Sequence, residues 1–79
     1  MKRKLKLIWD FRGPGALRTA QHHEIHLNEY VKHQNSTVLM IGHETINEFH
    51  SLTFIVVNEE DMKPFRDQLK PHRGEWHDE

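Results

Sequence analysis

The 79-residue chain contains no cysteine. Disulfide bonds, zinc sites built from thiolates and cysteine nucleophiles are therefore excluded. A chain this short buries a limited share of its surface and usually needs a disulfide, a bound metal or a second subunit for stability. A metal held by histidine and carboxylate groups, a partner subunit or a well-packed core remains as the source of stability. The missing cysteine also fits a reducing compartment, so we expect a cytoplasmic protein.

A long apolar run and an excess of charge of one sign are also missing. The apolar stretch over residues 5–11 is interrupted by Lys6 and Asp10, so it is too short for a signal peptide or for a membrane span of about 20 residues. Eleven lysines and arginines stand against 12 aspartates and glutamates, which leaves no general basic footprint for nucleic acid. The sequence predicts one soluble domain over residues 1–79, with neither a membrane nor a nucleic-acid partner.

The apolar pattern predicts strands at both ends of the first half of the chain and a helix between them. Leu5, Leu7, Trp9 and Phe11 alternate with mostly polar residues, which indicates a half-buried strand with Ile8 as the exception. In chain order we predict a strand over 5–11, a helix from 16 to about 33, a strand over 37–43, a connector over 44–48, a strand over 49–57, a helix over about 61–70, and a tail over 72–79 that is a short edge strand or disordered.

This order, β-α-β-β-α with a possible last strand, is the split β-α-β pattern. We therefore expect an α+β fold in which two helices pack on one face of a three- or four-stranded antiparallel sheet, ferredoxin-like by architecture and with no implied activity. The third predicted strand is apolar on both faces, with Phe54 on one and Ile55 on the other, and the second strand behaves likewise, whereas two helices cover only one face of the sheet. A homodimer that stacks two sheets or pairs exposed edges would cover the other face. Alternatively, outward β-branched residues only satisfy strand propensity.

Eight histidines in a chain of this length are the most unusual feature of the composition. On the predicted first helix, His22, His26 and His33 lie on one stripe with Glu29 beside them, away from the apolar side. His22 and His26 are one turn apart, so they could chelate zinc, nickel or copper, and Glu29 could add an oxygen, whereas His33 is too far away. The zinc-protease motif is absent because His23 stands where its glutamate would be. The alternatives are a solvated histidine-rich face and a pH-responsive or ligand-contacting face.

Two other places are candidates for ligand binding. His43 and His50 are predicted to face each other across the mouth of the hairpin between the second and third strands, with glutamates nearby. Arg12 precedes a Gly-Pro-Gly turn at which free backbone N–H groups could help to hold a small anion, with Arg18 as the second basic candidate. A tight turn that uses glycine only for its backbone freedom is the simpler interpretation of that segment.

The function that we expect is a small non-catalytic binding or regulatory module that acts as a homodimer. The first alternative is a transition-metal-binding protein that uses His22 and His26. The weaker alternative is a small enzyme with His26 or His43 as general base. It is the weaker one because no serine or threonine occupies a strained G-x-S-x-G turn.

Overall fold

The computed structural model describes residues 3–34 and 38–77 of the chain. Its four strands form one antiparallel sheet in the order β2-β3-β1-β4, so the predicted α+β fold is confirmed and the sheet has four strands. Part of the predicted tail forms the last strand, and residues 78–79 lie outside the described residues. In chain order the elements are β1 (Lys4–Arg12), α1 (Ala16–Gln34), β2 (Met40–Asn47), β3 (His50–Asn58), a short 3-10 helix (Glu59–Asp61), α2 (Met62–Leu69) and β4 (Arg73–Trp76).

Both helices pack on the same face of the sheet. The buried cluster on this face combines alternate residues of β1 and β3 with one residue from each helix: Leu7, Trp9, Leu27, Ile55, Val57 and Phe65. Two hydrogen bonds attach the helices to the strands. The buried Thr53 hydroxyl donates to the Ala20 carbonyl of α1 at 2.7 Å, and the Trp9 indole N–H donates to the Leu69 carbonyl at the end of α2 at 3.0 Å. Because these buried polar groups are paired, they fix the helices without a desolvation penalty.

The turn between β1 and α1 requires glycine at its first position. Gly13 has φ of +110°, a backbone conformation that residues with a side chain rarely adopt. Its N–H donates to the Phe49 carbonyl at 2.8 Å, and its own carbonyl accepts from the Ala16 N–H at 3.1 Å. The Thr19 hydroxyl and N–H both donate to the Gly15 carbonyl at 3.0 Å. These bonds place the first two turns of α1 beside the end of β1.

The predicted bounds of the second strand are wrong. The sequence predicts a strand over 37–43 and a connector over 44–48, but β2 continues to Asn47 and the chain turns at residues 48–49. The mostly polar segment that ends β2 belongs to an edge strand, which pairs through its backbone with β3 and needs no apolar alternation. Residue 37 lies outside the described residues, and β2 begins at Met40. The register pairs His43 with Thr53 and His50 with Asn47, with an irregularity between Thr45 and Asn47.

The second face of the sheet, which we call the open face, also carries a buried apolar cluster. Polar side chains of the neighbouring strands cover it: the Lys6 Nζ lies 4.4 Å from the centre of the Phe54 ring and 3.1 Å from Glu44 Oε1. Gly42 makes room for that ring, because a Cβ built there would lie 2.9 Å from the Phe54 Cζ. The cluster therefore needs no stacked second sheet for its burial. Its members are between 1% and 8% exposed: Ile8, Leu52, Phe54 and Val56.

Neither helix in the described part of the chain combines the length and the apolar character that a membrane crossing requires.

Candidate functional site

A groove of about 370 Å³ opens between the end of β1 and the first turns of α1. We call it the histidine groove. Arg18, His22 and His26 follow one another at intervals of four residues on α1, so the helix brings them into one row. The groove combines three imidazoles with an apolar ring, a guanidinium group and a threonine: Phe11, Arg18, Thr19, His22, His23 and His26.

The His22 and His26 rings lie next to each other, as their spacing predicts. Their centres are 4.8 Å apart and the ring planes are inclined by 60°. Two imidazoles that bind one tetrahedral ion at about 2.0–2.1 Å have ring centres about 5 Å apart, so this separation suits a shared metal. Glu29 lines a different hollow with Asn28, Val31 and Lys32. Within residues 3–34 and 38–77, no group of three or more histidine or carboxylate side chains could hold a metal ion together.

His23 forms the inner wall of the histidine groove. Its ring centre lies 4.9 Å from that of Trp9 and 5.6 Å from that of Phe11, in edge-on contacts. Burial lowers the pKa of His23, and the neighbouring His26 and His72 lower it further. Its Nε2 atom is buried and has no hydrogen-bond partner among the described residues. His23 is therefore a neutral ring at pH 7 that shapes the groove.

A second polar centre lies on the open face around the Asp10 carboxylate. His50 Nε2 lies 2.8 Å from Asp10 Oδ1, and Arg73 donates through Nε at 2.8 Å and through Nη2 at 3.3 Å. The hydrogen bond from Arg73 and, to a smaller extent, that from His50 lower the pKa of Asp10 to about 2, although partial burial opposes the shift. The same hydrogen bond raises the pKa of Arg73, whose guanidinium also pairs with Glu75. This network joins β1, β3 and β4.

The predicted ligand-binding residues separate into two groups. Arg12 and His50 are opposite each other in the register of β1 and β3, so the structure brings these two together. His43 lies elsewhere: its partner Thr53 has the opposite parity along β3 from His50, which places His43 on the helix-covered face. There the His43 Nδ1 lies 2.5 Å from Glu24 Oε1 of α1. The predicted pairing of His43 with His50 across the hairpin mouth is wrong, because the connector on which it depended is a strand.

The structure places Arg18, the second basic residue predicted for a small anion, in the histidine groove one helical turn before His22. Two other residues of these sites were not predicted. Phe11 gives no local signal, because its contact with α1 depends on how the helix packs. His72, close to the end of the chain, accepts the Asp10 backbone N–H at 2.9 Å through Nδ1, and its ring centre is 6.2 Å from that of Phe11. Contacts this far apart in sequence follow only from the register of β1 and β4.

Comparison with known protein families, with curated proteins and with solved structures finds no match to this chain. The assignment of function therefore depends on the geometry of its own residues.

Proposed function

We propose that this protein is a small non-catalytic binding module that holds a small organic anion with a planar body in the histidine groove. The observation that carries the proposal is the composition of the groove: one arginine, three histidines, one phenylalanine, one threonine and no acidic residue. A volume of about 370 Å³ falls within the range of about 300–1,000 Å³ that is typical of small-molecule sites.

Each group of the groove has a distinct role in this proposal. Arg18 supplies the formal positive charge and, as a guanidinium, suits a carboxylate or phosphate oxygen. His22 and His26 are exposed imidazoles that can each donate or accept one hydrogen bond in the neutral state. Phe11 and the neutral His23 provide rings against which a planar body packs. The first turn of α1 contains no acidic residue, so the positive end of the helix dipole is not offset there.

Benzoate and phenyl phosphate are suitable probes, with benzyl alcohol as the neutral control of similar shape. The expected result is a saturable change in the amide spectrum of isotopically labelled protein, centred on residues 11–26, for the two anions and not for the alcohol. Arg18→Gln should weaken anion binding by about tenfold or more, because one charge-assisted hydrogen bond is lost. Arg66→Gln is the matched control, since Arg66 is exposed and pairs with its neighbour Asp67. Equal binding of the alcohol, or shifts centred elsewhere, would contradict the proposal.

A transition-metal site at His22 and His26 is the second candidate, favoured by their 4.8 Å ring separation. Two imidazoles would leave at least two coordination positions of a bound zinc, nickel or copper ion open, and water or an anion would fill them. Calorimetric titration with each metal should show a single site that is lost in His22→Ala/His26→Ala. His33→Ala is the control, because His33 lies about 10 Å farther along the helix. Arg18→Gln should leave metal binding unchanged, which separates the two candidates. A general-base role for His26 or His43 stays a prediction.

The order of the strands also bears on the architecture that the sequence predicts. The strand order places β3 between β1 and β2, and β1 between β3 and β4. This arrangement supports a ferredoxin-like architecture in which an inserted strand splits each β-α-β unit, although the likeness carries no activity.

The cytoplasmic location stays a prediction from the sequence.

A further inference from the structure

Exposed apolar side chains are concentrated along one edge of the sheet. Met40 begins β2 and Leu39 directly precedes it, and they are 51% and 45% exposed. Ile46 lies near the end of β2 and Phe49 in the turn that follows, and they are 52% and 55% exposed. Single exposed apolar residues are ordinary, but a group of four along one element marks an interaction surface. The two pairs lie at opposite ends of the strand, about 20 Å apart at about 3.3 Å per residue.

The outer edge of β2 is open. In the described part of the chain β2 has β3 as its single strand neighbour, so its outward N–H and C=O groups face away from the sheet. Such an edge is a template for a strand of another chain. β4 forms the other edge, but it has four residues against the eight of β2, and the Arg3 guanidinium lies 3.5 Å from the centre of the Trp76 ring. The edge with the greater length and apolar exposure is therefore β2.

We propose that two copies of this chain pair along β2 about a twofold axis at His43. In an antiparallel pair around a twofold axis, the numbers of any two residues that face each other add up to the same total. With His43 on the axis, Met40 faces the partner's Ile46, and Gly42 faces the partner's Glu44. The start of one β2 thus meets the end of the other, and the exposed Met40 of each chain lies opposite the exposed Ile46 of its partner.

Electrostatics and backbone geometry agree with this register. No two residues of like formal charge are directly opposite, because Glu44 faces a glycine and its carboxylate already pairs with Lys6. The two His43 rings meet at the axis, and each one lies 2.5 Å from the Glu24 carboxylate of its own chain. The part of β2 from Ile41 to Thr45 is regular and centred on His43, and the irregularity between Thr45 and Asn47 places Ile46 at the end of the paired segment. The interface does not involve the histidine groove, and either proposal can fail while the other stands.

Charge substitutions at the two ends of β2 test both the interface and its register. The protein should sediment and scatter light as a dimer of twice 9.5 kDa at high micromolar concentration. Met40→Lys/Ile46→Lys places like charges opposite each other and should weaken dimerisation by about a hundredfold. Met40→Lys/Ile46→Glu places opposite charges there and should restore most of the affinity. Both side chains are exposed, so circular dichroism should report an intact fold in each variant.

Ile25→Lys is the control, because Ile25 is 57% exposed on α1 and should leave the dimer unchanged. A protein that is monomeric at several hundred micromolar overturns the proposal. A dimer that survives Met40→Lys/Ile46→Lys overturns this interface, and equal loss in both double variants overturns the register.

Discussion

Ile55 and Ile8 lie on neighbouring central strands and are 0% and 1% exposed, but they belong to opposite faces of the sheet. Ile55 packs in the cluster that receives side chains from both helices. Ile8 packs in the smaller cluster of the open face. The same residue type is therefore buried to the same extent with helices above it in one case and with polar side chains nearby in the other.

Charged and polar side chains lie on the open face beside its apolar cluster. Lys6 reaches over Phe54 to Glu44, which links β1 to β2, and Asp10 binds His50 of β3. Long charged side chains can bury their methylene groups on apolar surface while the charged ends stay in water. A small sheet can thus hide its second face without a third layer. One of these groups responds to pH, because the Asp10 carboxylate has a pKa of about 2 and loses its charge in acid.

The same substitution on each face, isoleucine to alanine, tests whether the two faces are packed equally tightly. Ile55→Ala should lower the free energy of unfolding by about 4 kcal/mol, because helices and strands enclose the cavity on all sides. Ile8→Ala should cost about 2 kcal/mol, since the side chains above it can collapse into the space. Urea unfolding followed by circular dichroism measures both values. Equal costs would mean that the open face is as rigidly packed as the helix-covered face.

The Asp10 network tests the cover itself. Asp10→Asn should cost about 2 kcal/mol at neutral pH, because the hydrogen bonds from the Arg73 guanidinium and the bond to His50 are weakened. The pKa of Asp10 falls from 3.8 to about 2 on folding. The stabilisation is therefore complete above about pH 4 and disappears as the pH falls towards 2, so wild type and variant should converge there. Asp67→Asn is the control, since Asp67 and its partner Arg66 are both more than half exposed and their pair should contribute almost nothing.

The two faces also differ in how far the sequence predicts them. Alternation at Leu7 and Trp9 identifies the helix-covered face of β1, and the helical spacing of His22 and His26 predicts their contact, because both patterns are local. Ile8 breaks the alternation, and its burial could not be predicted from the strand alone. It depends on the packing of Ile8 against Leu52, Phe54 and Val56 of β3.

Register explains the remaining errors. The predicted approach of His43 to His50 depended on a connector after His43, and four further residues of strand move His43 to the other face. The Asp10–Arg73 bond joins residues 63 positions apart, so no local pattern indicates it. Sequence periodicity therefore predicts which element a residue belongs to, while sites that cross strands require the pairing itself.

The glycine beneath Phe54 gives a smaller test of the open face. Gly42→Ala should cost about 1–2 kcal/mol, because the new methyl group would lie 2.9 Å from a ring that Lys6 holds from above. Gly74→Ala is the matched control on the other edge strand, where the new Cβ would meet the Leu7 Cδ2 at an ordinary 3.6 Å. Its effect on the unfolding midpoint should be close to zero. If Phe54→Leu removes the cost of Gly42→Ala, the ring is its cause; if the cost persists, backbone strain in β2 is responsible.

The smallest effect that we expect is a loss of stability on protonation of His23, which lies on the helix-covered face. Burial lowers the pKa of His23 below 6.5, so the folded protein resists a proton that the unfolded chain accepts. Stability is therefore complete above about pH 6.5 and should decline by less than about 1 kcal/mol over the next pH unit below it. His23→Phe keeps a ring against Trp9 and Phe11, removes the buried Nε2 and should abolish that decline, whereas His33→Gln should not. A decline of the same size in His23→Phe would show that His23 is not its cause.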